Sequence, residues 1–200
     1  MIFNLIIILI ISNISFSSSF EFLDNSKDWV KLKERDGIEV STIEYENMPY
    51  CKATKIYPYS SDKIKKILDD KASYPTTFER IESLDSLSAD IVHIKINLPF
   101  PFSGRDYIVR YKYFQEKKIE YYEYSATKDI QVNLEDGYVR LHNAFGIWKI
   151  EPIDNNSTKL THIWNGQLLG NFPSWALSRA WVAQGNELLS SISNQLISLN

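Results

Sequence analysis

The 200-residue chain contains one cysteine, Cys51, and only seven glycines. A lone cysteine excludes an intramolecular disulfide, so packing must hold the fold together. No glycine falls in a G-x-G-x-x-G or Walker pattern, which removes the usual phosphate-cradling loops. No serine stands in a G-x-S-x-G, so the nucleophile elbow is excluded as well. Excess positive charge is also missing: 22 Lys and Arg stand against 25 Asp and Glu, for a net charge of -3. The small basic clusters Lys63-Lys65-Lys66 and Lys117-Lys118 are mixed with acids. Without a basic stripe to neutralise phosphates, nucleic acid is not an expected partner. The three histidines, His93, His142 and His162, fall on three different predicted strands with no His or Cys at ligand spacing. No metal and no cofactor is therefore expected.

Aromatic residues are abundant, with five Trp, twelve Tyr and ten Phe. They suit a sheet-rich fold with bulky interior side chains. The N-terminus differs from the rest. In "MIFNLIIILIISNISFSSS" an apolar run from Ile2 to Ile11 is followed by small polar residues. About 10–14 apolar residues is short for a bilayer span and fits the apolar region of a signal peptide. Ser15 and Ser17, or Ser17 and Ser19, supply a cleavage pattern, although no Lys or Arg precedes the run. Residues 1–19 are expected to be a signal peptide and 20–200 the exported domain, periplasmic or secreted if the source is bacterial. An uncleaved anchor and a buried strand are the alternatives. No lipobox cysteine follows the run, which argues against a lipoprotein anchor.

Beyond the leader, Ser26 before Trp29, Val30 and Leu32 predicts a short capped helix. Asp36-Gly37 then turns the chain into a strand over 38–45, and "ENMP" returns it over 50–57. A helix is predicted over 60–70, with Ile64, Ile67 and Leu68 on one face, and Pro75 is expected to end any helix near it. Strands follow at 90–99, 105–117, 118–127, 137–153 and 158–169, the last two joined by Asp154-Asn155-Asn156. In the final segment Leu177, Trp181, Leu188, Ile192 and Leu196 recur at helical spacing, with Gly185 among them and Pro173 in the first turn. Six or seven strands in one antiparallel sheet twist and curl. The long C-terminal helix is the element able to cover the concave face, giving an α+β fold.

"LPFPFSGRDYIVRYKYF", residues 98–114, places a charged pair at the start of a strand. By the two-residue period, Arg105 shares a face with Tyr107 and Val109, while Asp106 points the other way. If that face is concave, the guanidinium enters an apolar interior and needs a partner there. It is either a polar anchor for a ligand or a structural ion pair with Asp106 or Asp90. Trp148, Trp164, Trp175 and Trp181 either line a tunnel or pack as core. Leu177, Trp181, Leu188 and Ile192 form the candidate lid. Phe172 and Trp175 in "NFPSW" either touch a membrane surface or staple the helix start.

"WVKLKERDGIEVSTIE", "LPFPFSGRDYIVRY", "GYVRLHNAFGIWKIEPI" and "TKLTHIWNGQLLGNFPSWALSRA", with the terminal helix after them, resemble in order and spacing the START family of steroidogenic acute regulatory protein-related lipid transfer domains. The resemblance covers roughly residues 25–198. A Gly-Gly turn often found before the last helix is represented only by Gly170, and Ser178 stands where the family often has Asn. The resemblance implies a helix-grip fold with a hydrophobic cavity between sheet and helix. It implies a binder, and possible carrier, of a sterol, phospholipid or fatty-acid-like lipid; a monomer with transient membrane contact is expected. Ligand-binding candidates are Arg105, Tyr107, Val109, Trp148, Trp164, Leu177, Trp181 and Leu188. Two alternatives stand beside it. One is an enzyme of the same superfamily, cyclase- or hydrolase-like, with His142 or His162 paired to Glu151 or Asp106. The other is a protein-interaction module with a solid interior.

Overall fold

Two tight turns lay down the first part of the sheet. Asp36 and Gly37 have φ of 53° and 73°, and Glu46 and Asn47 have φ of 52° and 59°. Two consecutive left-handed residues form the hairpin turn whose twist matches that of the flanking strands. They join β1 (Val30–Arg35), β2 (Ile38–Tyr45) and β3 (Met48–Tyr57). A computed structural model describes residues 22–165 and 176–199. The capped helix expected from Ser26 is not formed; residues 22–25 make a helical turn, and Val30–Arg35 is an edge strand. Pairing with β2, from Val30 opposite Thr42 to Arg35 opposite Ile38, overrides the local helical signal. Lys31, Lys33 and Arg35 discourage further pairing along this edge.

Helix α1 (Ser61–Asp69) buries Ile64, Ile67 and Leu68, and a 3-10 turn leads to α2 (Tyr74–Thr77). Pro75 begins α2 instead of ending a helix, because an absent N–H costs nothing in a first turn. The remaining strands are β4 (Ile81–Ser86), β5 (Ile91–Ile96), β6 (Gly104–Glu116), β7 (Ile119–Ala126), β8 (Tyr138–Arg140), β9 (Phe145–Pro152) and β10 (Thr158–Asn165). β4 was not anticipated, and the single strand expected over 137–153 is divided into β8 and β9. Helix α3 (Leu177–Ser198) closes the chain.

All ten strands belong to one curved sheet in the order β1-β2-β3-β10-β9-β7-β6-β5-β4, with β8 beside β6. Every pairing is antiparallel except β6 with β8. Insertion of β10 between β3 and β9 brings the first hairpin against the last strands. The concave face and α3 share the main core. Val40, Ala53, Trp148 and Leu160 pack with Trp181, Leu189, Ile192 and Leu196. Gly185 lets the helix settle onto the sheet, since a Cβ there would lie 3.0 Å from Val40 Cγ2 and 3.1 Å from Ala53 Cβ. Tyr57 fixes the helix position by donating its hydroxyl to the Leu189 carbonyl at 2.6 Å. The buried stripe of α3 runs through Leu189; Leu188, one position back, is half-buried. On the opposite face, Leu23, Ile43, Ile147 and Ile163 form a smaller cluster beneath the N-terminal segment. Trp29 Nε1 donates to the Leu23 carbonyl at 2.8 Å, and Lys149 reaches Asp24 at 2.8 Å, holding that segment down.

Candidate ligand cavity

The sheet and α3 do not meet along their whole length. Toward the start of α3 they part around a cavity of about 320 Å³. Its wall is mostly apolar: Ile96 comes from the end of β5, Leu98 and Phe102 from the β5–β6 connection, and Ala180 and Ala183 from the helix. Small side chains on the helix preserve the space that larger ones would fill. A second space of about 70 Å³ adjoins it and shares Arg80, Ile96, Tyr107, Tyr124 and Gln184 as walls. Tyr74, Phe78, Trp148, His162 and Leu188 complete the smaller space.

Arg105 lies in the wall of the larger space and is 1% exposed. Its Nη1 donates to the carbonyls of Ser103 at 2.6 Å and Gly104 at 3.2 Å, and burial pulls its pKa down. Neither proposed carboxylate pairs with it. Asp106 faces the other way, where Arg140 donates to it at 2.9 and 2.5 Å and His93 Nε2 lies 2.9 Å away. Asp90 is held by Arg110 and by Ser88. The two-residue period separates neighbours on a strand, so adjacent Arg105 and Asp106 serve opposite faces. Arg80 also lines both spaces, with Nη2 donating to Glu187 Oε1 of α3 at 2.6 Å. That pair clasps the sheet side of the cavity to the helix. Arg179 stands exposed at the rim.

The sequence candidates are thus distributed unevenly. Arg105, Tyr107 and Trp164 line the larger space, and Tyr107, Trp148 and Leu188 the smaller. Val109, Leu177 and Trp181 line neither: Val109 is fully buried against Val92 and Ile94, and Trp181 sits in the main core with Leu177 against it. Val109 shares the right face but lies farther along β6, where the sheet is already packed. Phe172 and Trp175 lie outside the described residues. Arg80, Phe102, Tyr124 and Gln184 went unselected. Phe102 belongs to the Pro-Phe-Pro-Phe stretch just ahead of Arg105, whereas nothing local marks Arg80 or Gln184.

Aromatic stacking organises the sheet wall. His162 of β10 is sandwiched between Trp148 of β9, at 3.8 Å between ring centres, and Trp164, at 4.8 Å. The Trp148 contact follows from their direct cross-strand pairing, and Trp164 follows His162 at the period-two spacing. Burial pushes the pKa of His162 down to about 3, so the ring is neutral. Its Nε2 lies 3.1 Å from the Tyr124 hydroxyl. The pairings suggested for acid-base chemistry are not assembled: Glu151 contacts Lys149 and Lys159, Asp106 holds His93, and His142 lines outer grooves. Among the described residues no group of three or more His, Cys, Asp or Glu could hold a metal. Cys51 is fully buried, and burial raises its thiol pKa far above the usual range.

A family model for the START domain matches residues 20–183. The chain belongs to the START domain family. Its helix-grip architecture is that of a hydrophobic ligand-binding domain. This START domain is similar to the STAR-related lipid transfer protein from Xanthomonas axonopodis, at 20% identity and a TM-score of 0.72, covering 84% of this chain and 98% of the other. It superposes on human StAR-related lipid transfer protein 5 with a TM-score of 0.80 at 12% identity, covering 92% and 93% of the two chains. An uncharacterized protein of Pseudomonas aeruginosa is 21% identical over 156 residues, which span 75% of this chain and 77% of that one.

Proposed function

We propose that this START domain is a non-enzymatic binder and carrier of a hydrophobic molecule with one polar end. The observation that carries the reading is the largely apolar 320 Å³ cavity with the buried Arg105 guanidinium in its wall. That volume stands near the lower limit for small-molecule sites, about 300–1,000 Å³. It favours a single acyl chain or a compact ring system over a two-chain phospholipid. Each buried methylene contributes roughly 0.8 kcal/mol, and Arg105 orients the polar end.

Cargo enters, on this proposal, where the β5–β6 connection meets α3. Leu98 and Phe102 face the cavity while Phe100 between them is 97% exposed. An aromatic ring outside the wall is suited to the membrane interface, so a monomer touches a bilayer there while cargo moves. The expected leader would deliver it outside the cytoplasm, to the periplasm or medium of a bacterial source. The test is native purification of the chain from Phe20, solvent extraction and mass spectrometry. One lipid per protein is expected. A blank extract, together with no thermal shift against fatty acids, sterols and phospholipids, would overturn the carrier reading.

A further inference from the structure

Tyr124 of β7 reaches His162 of β10 across the intervening strand β9. It can do so because Gly146, its direct partner on β9, has no side chain. A Cβ on Gly146 would lie 2.2 Å from the Tyr124 hydroxyl oxygen. The gap lets the ring lie across the strand and bring its oxygen to 3.1 Å from His162 Nε2. Tyr124 lines both spaces and His162 the smaller one.

Proton counting then defines what the pair lacks. A neutral imidazole carries one N–H and a phenol one O–H, and a single hydrogen bond between them uses one of the two. If Tyr124 donates to Nε2, the imidazole proton is on Nδ1, and Nδ1 has no partner among the described residues. If Nε2 donates instead, the phenol proton is unused. Either tautomer leaves a donor at the cavity wall. Trp164 Nε1 is another buried donor without a partner among the described residues, on a side chain lining the larger space. His162 and Trp164 are 4% and 5% exposed, so bulk water does not readily supply the missing acceptor.

We propose that the Tyr124–His162 pair, seated in the gap at Gly146, is a hydrogen-bonding site for a neutral oxygen acceptor on the cargo, a carbonyl or hydroxyl. This rests on the cavity reading above and narrows it. The cargo carries such an oxygen where it passes Tyr124, apart from any group at Arg105.

The test compares octan-2-one with octane by tryptophan fluorescence titration of wild type and of the variant that combines Tyr124→Phe with His162→Phe. Relative to octane, octan-2-one should lose up to about tenfold in affinity in the combined variant, the factor expected for one hydrogen bond, because either ring alone still carries one donor. A ketone-to-alkane affinity ratio unchanged within about twofold would overturn the proposal while leaving the cavity reading intact. Failure of both probes to bind wild type would remove the cavity reading and this proposal with it. A measurement without variants guards against misfolding. In wild type with 15N-labelled histidine, octan-2-one should shift the ring nitrogen resonances of His162 and octane should not. Equal responses to the two probes would also overturn the proposal.

Discussion

Asp106 Oδ2 lies 2.9 Å from His93 Nε2 in the interior of the outer face, with Asp106 1% and His93 4% exposed. Arg140 completes the cluster, and its Nη1 also donates to the Val132 carbonyl at 2.9 Å, tying down the segment before β8. Burial alone would raise the Asp106 pKa; hydrogen bonds from Arg140 and His93 outweigh it and hold the pKa below the ordinary carboxylate value. The charged pair that opens β6 therefore divides its labour. Arg105 faces the cavity, and Asp106 anchors the opposite face.

Asp106→Asn should destabilise the domain by up to about 3 kcal/mol, because the half-buried Arg140 is left without its counter-charge. Urea denaturation measures the loss. Wild type should also lose stability as the pH falls below about 3.9, the unfolded carboxylate value, toward the lower folded value. The carboxylate is favoured in the folded state, so its contribution is complete above that window. The Asn variant should lack this part of the acid transition, and an unchanged acid limb would contradict the assignment.

His162 imposes a second pH dependence of the same sign at higher pH. Its folded pKa of about 3 lies below the unfolded value of about 6.5, so the unfolded chain takes up the proton first. Stability is complete above about pH 6.5 and falls as the pH drops toward 3, with a slope approaching 1.4 kcal/mol per pH unit. His162→Phe should flatten the stability profile between pH 4 and about 6, measured by chemical denaturation. Equal slopes in both proteins would show that His162 is already charged in the fold.

At Gly185 α3 lies close against Val40 and Ala53 of the sheet. Gly185→Ala brings opposing effects: roughly 1 kcal/mol gained in helix propensity against contacts at 3.0 and 3.1 Å that require a slight shift. Gly185→Leu has no such balance. It should lose about 1–3 kcal/mol by overpacking and lift the helix away from Val40 and Ala53. Thermal denaturation reads the loss, and faster amide exchange in α3 reads the displacement. A leucine variant as stable as wild type would mean that the helix does not sit this close.

Much of the scaffold was legible because its signals are local. Asp36-Gly37 and Asp154-Asn155-Asn156 mark turns by residue type, and the α1 face of Ile64, Ile67 and Leu68 follows from its period. Residues 30–35 misled because their apolar content suits a helix as well as an edge strand, and only pairing with β2 decides between them. Of the candidate site, Arg105 and Tyr107 could be read by parity along one strand. Arg80, Tyr124 and Gln184 could not, because they meet there from distant parts of the chain.

By itself the sequence determined the turns, the alternation along the strands, the covering helix and the family order of its motifs. Those depend on neighbours within a few residues. Tertiary structure alone decided that β10 lies between β3 and β9, that Asp106 serves Arg140 instead of Arg105, and that Gly146 makes room for Tyr124 to reach His162. The physical reason is that cavities and buried polar partners are set by where several strands and a helix fail to touch, and no single segment encodes that gap.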